Sequence, residues 1–157
     1  MKKAFLLVAF LLVHRLVGAQ QLVPFTTDRW AFDTKDYTLE EYQGKSGVKL
    51  KNNRAVLNGA AFENGVIDFD VAFPPNRAFV GVHFRAADDA NYEEFYLRPH
   101  QSGNPDANQY CPVISRTASW QLYYGEGYSA PVKYPFDQWF HVRLVVSGRQ
   151  MEVYVGD

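Results

Sequence analysis

The stretch GVHFRAADDANYEEFYLRPH, residues 81–100, gathers six side chains able to do chemistry: His83, Arg85, Tyr92, Glu94, Tyr96 and Arg98. Tyrosine rings can stack on the apolar face of a pyranose, while carboxylate and guanidinium groups form paired hydrogen bonds with hydroxyls. Ligand pockets commonly combine such aromatic walls with a few placed polar groups. The six are therefore a candidate sugar-binding set, with no catalytic role assigned. The competing reading is the solvated face of a sheet, with cross-strand ion pairs from Arg85 or Arg98 to Glu94.

For these groups to meet, the chain must fold back on itself. With residues 86–91 as the connection, Arg85 faces Tyr92, His83 faces Glu94 and Gly81 faces Tyr96. On the other side Val80 meets Leu97, Val82 meets Phe95 and Phe84 meets Glu93. Successive side chains of a strand emerge on opposite faces, so this register puts apolar against apolar everywhere except at Glu93. Gly81, without a side chain, predicts a shallow depression beside Tyr96.

The same period of two runs through the rest of the chain, and no stretch after residue 19 sustains a helical period. Ile67, Phe69, Val71 and Phe73 alternate with Asp68, Asp70 and Ala72 until Pro74-Pro75-Asn76 ends the strand. Asn58-Gly59 and Asn64-Gly65 are turn signals that place a short strand near residues 54–57. In HVRLVVSGRQMEVYVGD a turn centred on Gly148-Arg149 pairs Val146 with Met151, Leu144 with Val153 and Val142 with Val155. Gly at the first central position suits a type II′ hairpin turn. Residues 108–115 read as a strand with an irregularity at Pro112. Residues 120–124 read as another, sending Trp120, Leu122 and Tyr124 to the core and leaving Tyr123 and Tyr128 as candidates for a rim platform. Many short antiparallel strands at this spacing define an all-β sandwich or jelly roll. The chain stops within two residues of its last strand, whose apolar face then lacks a following partner, so the sequence reads as truncated at its C-terminus.

Composition bounds the remaining readings. Lys2 and Lys3 precede ten apolar residues, 4–13, too few to span a hydrocarbon layer of roughly 30 Å as a helix. Val17-Gly18-Ala19 supplies the small residues of a cleavage site, so residues 1–19 read as a signal peptide and 20–157 as one exported domain. No later run is apolar enough to cross a membrane. Removing Lys2, Lys3 and Arg15 takes the 16 basic residues to 13 against 17 acidic, a formal charge of −4. Nucleic-acid binding rests on clustered cations that neutralise phosphate, so this balance argues against it. The single cysteine, Cys111, excludes an internal disulfide and a thiolate metal site, and reads as a small buried apolar residue. Asp88, Asp89 and Asn91 could offer oxygen ligands to Ca²⁺, although Asp-rich turns are usually only turns. Otherwise the residues imply no cofactor.

Three segments together resemble a known superfamily: FENGVIDFDV, FVGVHFRAADDANYEEFYLR and DQWFHVRLVVSGRQMEVYVGD. Over residues 62–157 the chain looks like the concanavalin A-like lectin/glucanase superfamily, and within it like laminin G-like jelly rolls and the 3-keto-disaccharide hydrolase-like domain. Gly156-Asp157 departs from the Asp-Gly order of the last turn in that pattern. The resemblance implies two curved antiparallel sheets, sugar binding on the concave face or rim loops, and calcium in some members. The Glu-x-Asp-x-x-Glu strand of the family 16 glucanases is absent. Glu93 and Glu94 are adjacent, so a strand sends them to opposite faces and they cannot act as a carboxylate pair. The expectation is a secreted module that binds carbohydrate or a glycosylated surface without catalysis of its own. One alternative is a sugar-processing hydrolase using Glu94 or the Asp68/Asp70 pair, with His83 assisting. Another is an adhesion or structural module.

Overall fold

The alternating stretches form the strands that their period requires. A computed structural model describes residues 21–156; the expected signal peptide and Asp157 lie outside the described residues. The strands are β1 (Trp30–Phe32), β2 (Tyr37–Tyr42), β3 (Lys45–Leu50), β4 (Ala55–Leu57), β5 (Gly65–Val71) and β6 (Val80–Asp88). They continue as β7 (Asn91–Leu97), β8 (Asn108–Ile114), β9 (Thr117–Ala118), β10 (Ser129–Ala130), β11 (Phe140–Ser147) and β12 (Gln150–Val155). Among the described residues the only helical element is a single 3₁₀ turn, Pro99–Gln101. The protein is all-β, and every pairing is antiparallel.

Two larger sheets enclose one core. One runs β10-β8-β7-β6, with β9 added along β8; the other runs β12-β11-β5. Phe84, Phe95 and Leu97 from the first sheet meet Val71, Phe140, Val142, Leu144 and Val146 from the second. This is the arrangement expected of a β-sandwich. Phe73 packs edge-on against Tyr134 and Phe140 at one end of that core. Tyr134 is buried there, and its hydroxyl donates to the Ala107 carbonyl.

The last hairpin has the register its sequence predicts, with Val142, Leu144 and Val146 opposite Val155, Val153 and Met151. Gly148 adopts φ 57° while Arg149 keeps a negative φ, the sign pattern of a type II′ rather than a type I′ turn. The β2–β3 hairpin is new. Its turn uses Gln43 and Gly44 at φ 47° and 76°, the paired positive angles of type I′. Residues 120–124, expected to be a strand, form a turn instead. Trp120, Leu122 and Tyr124 are 48%, 81% and 56% exposed, so they do not feed the core.

Candidate functional site

The outward face of β6, β7 and β8 carries the predicted residues in rows. His83 pairs with Glu94, which pairs with Cys111; Gly81 pairs with Tyr96, which pairs with Gln109; Tyr92 pairs with Val113. His83 and Tyr92 stack at 4.3 Å between ring centroids. His83 Nε2 lies 3.3 Å from Glu94 Oε2, and the Glu94 side chain is 17% exposed. Burial, with Glu94 beside it, pushes the Cys111 thiol up to about 11, which leaves a protonated and unreactive sulfur.

Arg85 does not face Tyr92. The ladder is regular only to Phe84–Glu93, breaks, and resumes at Asp88–Asn91. Arg85 sits inside this bulge at φ 49°. A bulge re-aims side chains, and Arg85 turns away from the His83–Tyr92 row. It donates to the Glu63 carbonyl at 2.5 Å, the Gly148 carbonyl at 2.7 Å and Asn64 Oδ1 at 3.2 Å, and pairs with Glu93 at 3.2 Å. It thereby ties the β6–β7 hairpin to the β11–β12 turn. Glu93, the odd residue of the apolar row, is explained by the same contacts: it holds Arg85 and accepts from the Tyr110 hydroxyl at 3.0 Å. Burial and the Glu93 charge both raise the Tyr110 phenol.

Tyr96 and Arg98 share the predicted face, but that face is dry where they sit. Both are buried, and Gln109 is fully buried between them. Arg98 Nη1 bonds Asp106 at 2.6 Å, while Nη2 donates to the Tyr96 hydroxyl at 3.1 Å and to Gln109 Oε1. Tyr96 also donates to Gln109 Oε1, at 2.9 Å. Arg98 Nε and His100 Nδ1 are buried without a hydrogen-bond partner among the described residues. The Phe79 ring, 5.9 Å from the Arg98 guanidinium carbon, gives the cation an aromatic face instead. Gly81 opens no depression. A Cβ there would lie 2.0 Å from the Phe95 carbonyl oxygen, so the glycine is required by the close approach of β7.

The far end of this network was invisible to pattern reading. Gln109 Nε2 donates to the Trp120 carbonyl at 2.7 Å and to the Tyr123 carbonyl. One buried carboxamide thus clamps the 120–124 turn over the polar face, at the β8 side, with Trp120, Leu122 and Tyr124 turned outward. Tyr123 is half-buried, edge-on against Tyr110 and Tyr128, and Tyr128 remains exposed. Gln109 and Asp106 carried no motif in the sequence. The only available signal was for Gln109, two residues before Cys111 and so on the same face of a strand; Asp106, in the loop before that strand, had none.

Asp68 and Asp70 emerge on one face of β5, as parity requires, but they are bound to cations. His141 Nε2 meets Asp68 at 3.0 Å and its Nδ1 meets Asp70 at 2.9 Å. Arg143 Nε reaches Asp68 at 2.7 Å, and Lys45 reaches Asp70 at 2.6 Å. Arg143 chiefly, with His141, holds the Asp68 carboxyl below its ordinary range; Lys45 and His141 do so for Asp70. Such groups resist acting as a general acid at neutral pH. In the acidic turn, Asp88 accepts from the Ala90 N–H at 2.7 Å and from Asn91 Nδ2, and Asp89 pairs with Arg54 at 3.2 Å. Among the described residues no three His, Cys, Asp or Glu side chains gather as a metal site.

No family model matches the chain, and neither a curated protein nor a solved structure matches it.

Proposed function

We propose that the chain is a secreted glycan-binding module on a concanavalin A-like jelly roll, without catalysis in its own residues. The basic, apolar and small-residue pattern of residues 1–19 supports export. The observation that carries the binding reading is the turn clamped by Gln109, a residue of the face that carries Glu94 and Tyr96, with Trp120 and Tyr124 exposed on that turn. A backbone fixed before binding has less freedom to lose when a sugar stacks on the aromatic side chains it carries, which favours affinity. Trp120 and Tyr124 supply the stacking surfaces; Glu94 and His83 orient hydroxyls. Tyr96 and Arg98 position the turn rather than touch the ligand, and Arg85 braces the sandwich.

Glycan-array binding of the secreted chain tests this reading. Trp120→Ala should weaken the strongest signal by about tenfold or more, the scale of one lost hot-spot aromatic. An array with no signal, or one indifferent to Trp120→Ala, would overturn it. The contact between His83 and the poorly exposed Glu94 favours one second reading, a sugar-processing hydrolase with Glu94 as acid or base. Release of reducing sugar from a polysaccharide panel, abolished in Glu94→Gln, would select it.

A further inference from the structure

A hollow lies away from this face, under the β2–β3 hairpin. It is a cleft of about 300 Å³ lined by Tyr42, Trp139, Phe73 and Pro74, with Glu40, Lys49 and Asp137 as its charged groups. That volume is at the lower end of small-molecule pockets, which run from about 300 to 1,000 Å³.

The hairpin is held to the second sheet mainly at its tip. Lys45 pairs with Asp70 on β5, Trp139 Nε1 donates to the Tyr42 carbonyl at 2.7 Å, and the Trp139 ring packs over Gly47. The Asp137 carbonyl accepts from the Tyr42 hydroxyl at 3.0 Å and from Gln43 Nε2 at 2.8 Å, while its N–H donates to Phe73 at 3.0 Å. Asp137 and Gln43 both adopt left-handed backbone, φ 58° and 47°. For residues other than glycine this conformation costs free energy and persists only where the surroundings impose it, as ligand clamps often do. The Gln43 angle belongs to the hairpin turn, but Asp137, at the lip of the cleft and bonded to that turn through its carbonyl, is a built feature.

The polar groups of the cleft are underused. Glu40 meets Lys49 only at 4.0 Å, the outer limit of an ion pair. The Asp137 side chain makes no hydrogen bond or ion pair with the other described residues. Two carboxylates and one ammonium beside an indole and a phenol present acceptors and a donor around an aromatic wall. That mixture suits a neutral, many-hydroxyl ligand better than an ion of either sign.

We infer that the cleft between the β2–β3 hairpin and Trp139 is a second saccharide site, sized for a mono- or disaccharide and separate from the Trp120 face. It shares a ligand class with the proposed function but none of its residues. Trp139 and Tyr42 form the wall, and Glu40, Lys49 and Asp137 bind hydroxyls.

Equilibrium dialysis of the chain against cellobiose, maltose and lactose tests it, using Trp120→Ala, Glu40→Gln and Asp137→Asn. Asn tolerates the left-handed backbone, so the last variant keeps the fold; circular dichroism checks all three. Binding of at least one disaccharide that survives Trp120→Ala and weakens about tenfold in Glu40→Gln and in Asp137→Asn is the expected result. If, in addition, the array signal is indifferent to Trp120→Ala, the cleft stands and the Trp120 reading falls. Binding lost in Trp120→Ala but unchanged in the other two overturns the cleft and leaves the Trp120 reading standing. No disaccharide binding overturns the cleft.

Discussion

His141 lies between two carboxylates, and this single ring gives the molecule a predictable response to pH. Asp70 first, then Asp68, raises its ionisation above the ordinary 6.5. A raised folded value means that the stabilisation is complete below 6.5 and is lost as pH rises through the folded value. For Asp68 and Asp70 the sign reverses. Their folded values lie below 3.8, so their contribution is complete above 3.8 and is lost as pH falls through those values. Thermal midpoints should therefore be highest between 3.8 and 6.5 and decline on both sides. In His141→Gln the alkaline decline should flatten while the acid decline remains; an unchanged alkaline limb would contradict the assignment. Gln109 sets a second residue-scale expectation. Gln109→Leu leaves buried partners unpaired, which costs about 1–3 kcal/mol, and frees the 120–124 turn. Iodide quenching of Trp120 should rise, with Trp30→Phe and Trp139→Phe isolating its signal. At this scale the sequence showed that His83 and Glu94 would meet. It could not show that Arg98 would spend hydrogen bonds on Asp106 and Gln109 as well as Tyr96, because those two partners arrive from a loop and another strand.

Among elements, the β6–β7 hairpin shows how far periodicity reaches. Pairs from Val80–Leu97 to Phe84–Glu93 follow from alternation alone. Beyond Phe84 the expected continuation fails, since a bulge inserts residues and alternation contains no signal for one. Gly81 belongs to this scale too. Gly81→Ala would drive a methyl into the Phe95 carbonyl, so the variant should lose about 3 kcal/mol or more, the upper end of overpacking. A denaturant midpoint within error of the parent would show that β6 and β7 can separate at that point. The β2–β3 hairpin escaped the sequence reading although Gln43-Gly44 is a turn signal. Its strands bury little on either face, so the apolar contrast that marks a strand was weak.

For the whole molecule, the decisive contacts are those that join the two large sheets. Arg85 reaches from β6 to the Gly148 carbonyl of the β11–β12 turn and to the loop before β5. Its hydrogen bonds are charge-assisted and its side chain is largely buried. Arg85→Met should therefore destabilise the sandwich by about 2 kcal/mol, within the range for bonds to charged groups. It should leave the proposed glycan binding at the Trp120 face intact, as measured by denaturation and array binding on the same preparation. Leu144, fully buried at the centre of β11, marks the other extreme: Leu144→Ala should cost about 2–5 kcal/mol.

The sequence by itself determined strand parity, the turn at Gly148 and the pairing of β6 with β7 as far as Phe84. These follow from backbone geometry and local alternation, which neighbouring residues carry. Only the tertiary structure decided that the polar face would be roofed at Tyr96 and Arg98, that Arg85 would cross to the other sheet, and that Trp120 would point outward. Burial and hydrogen-bond partnership depend on segments that return from dozens of residues away, and no local period records where they land.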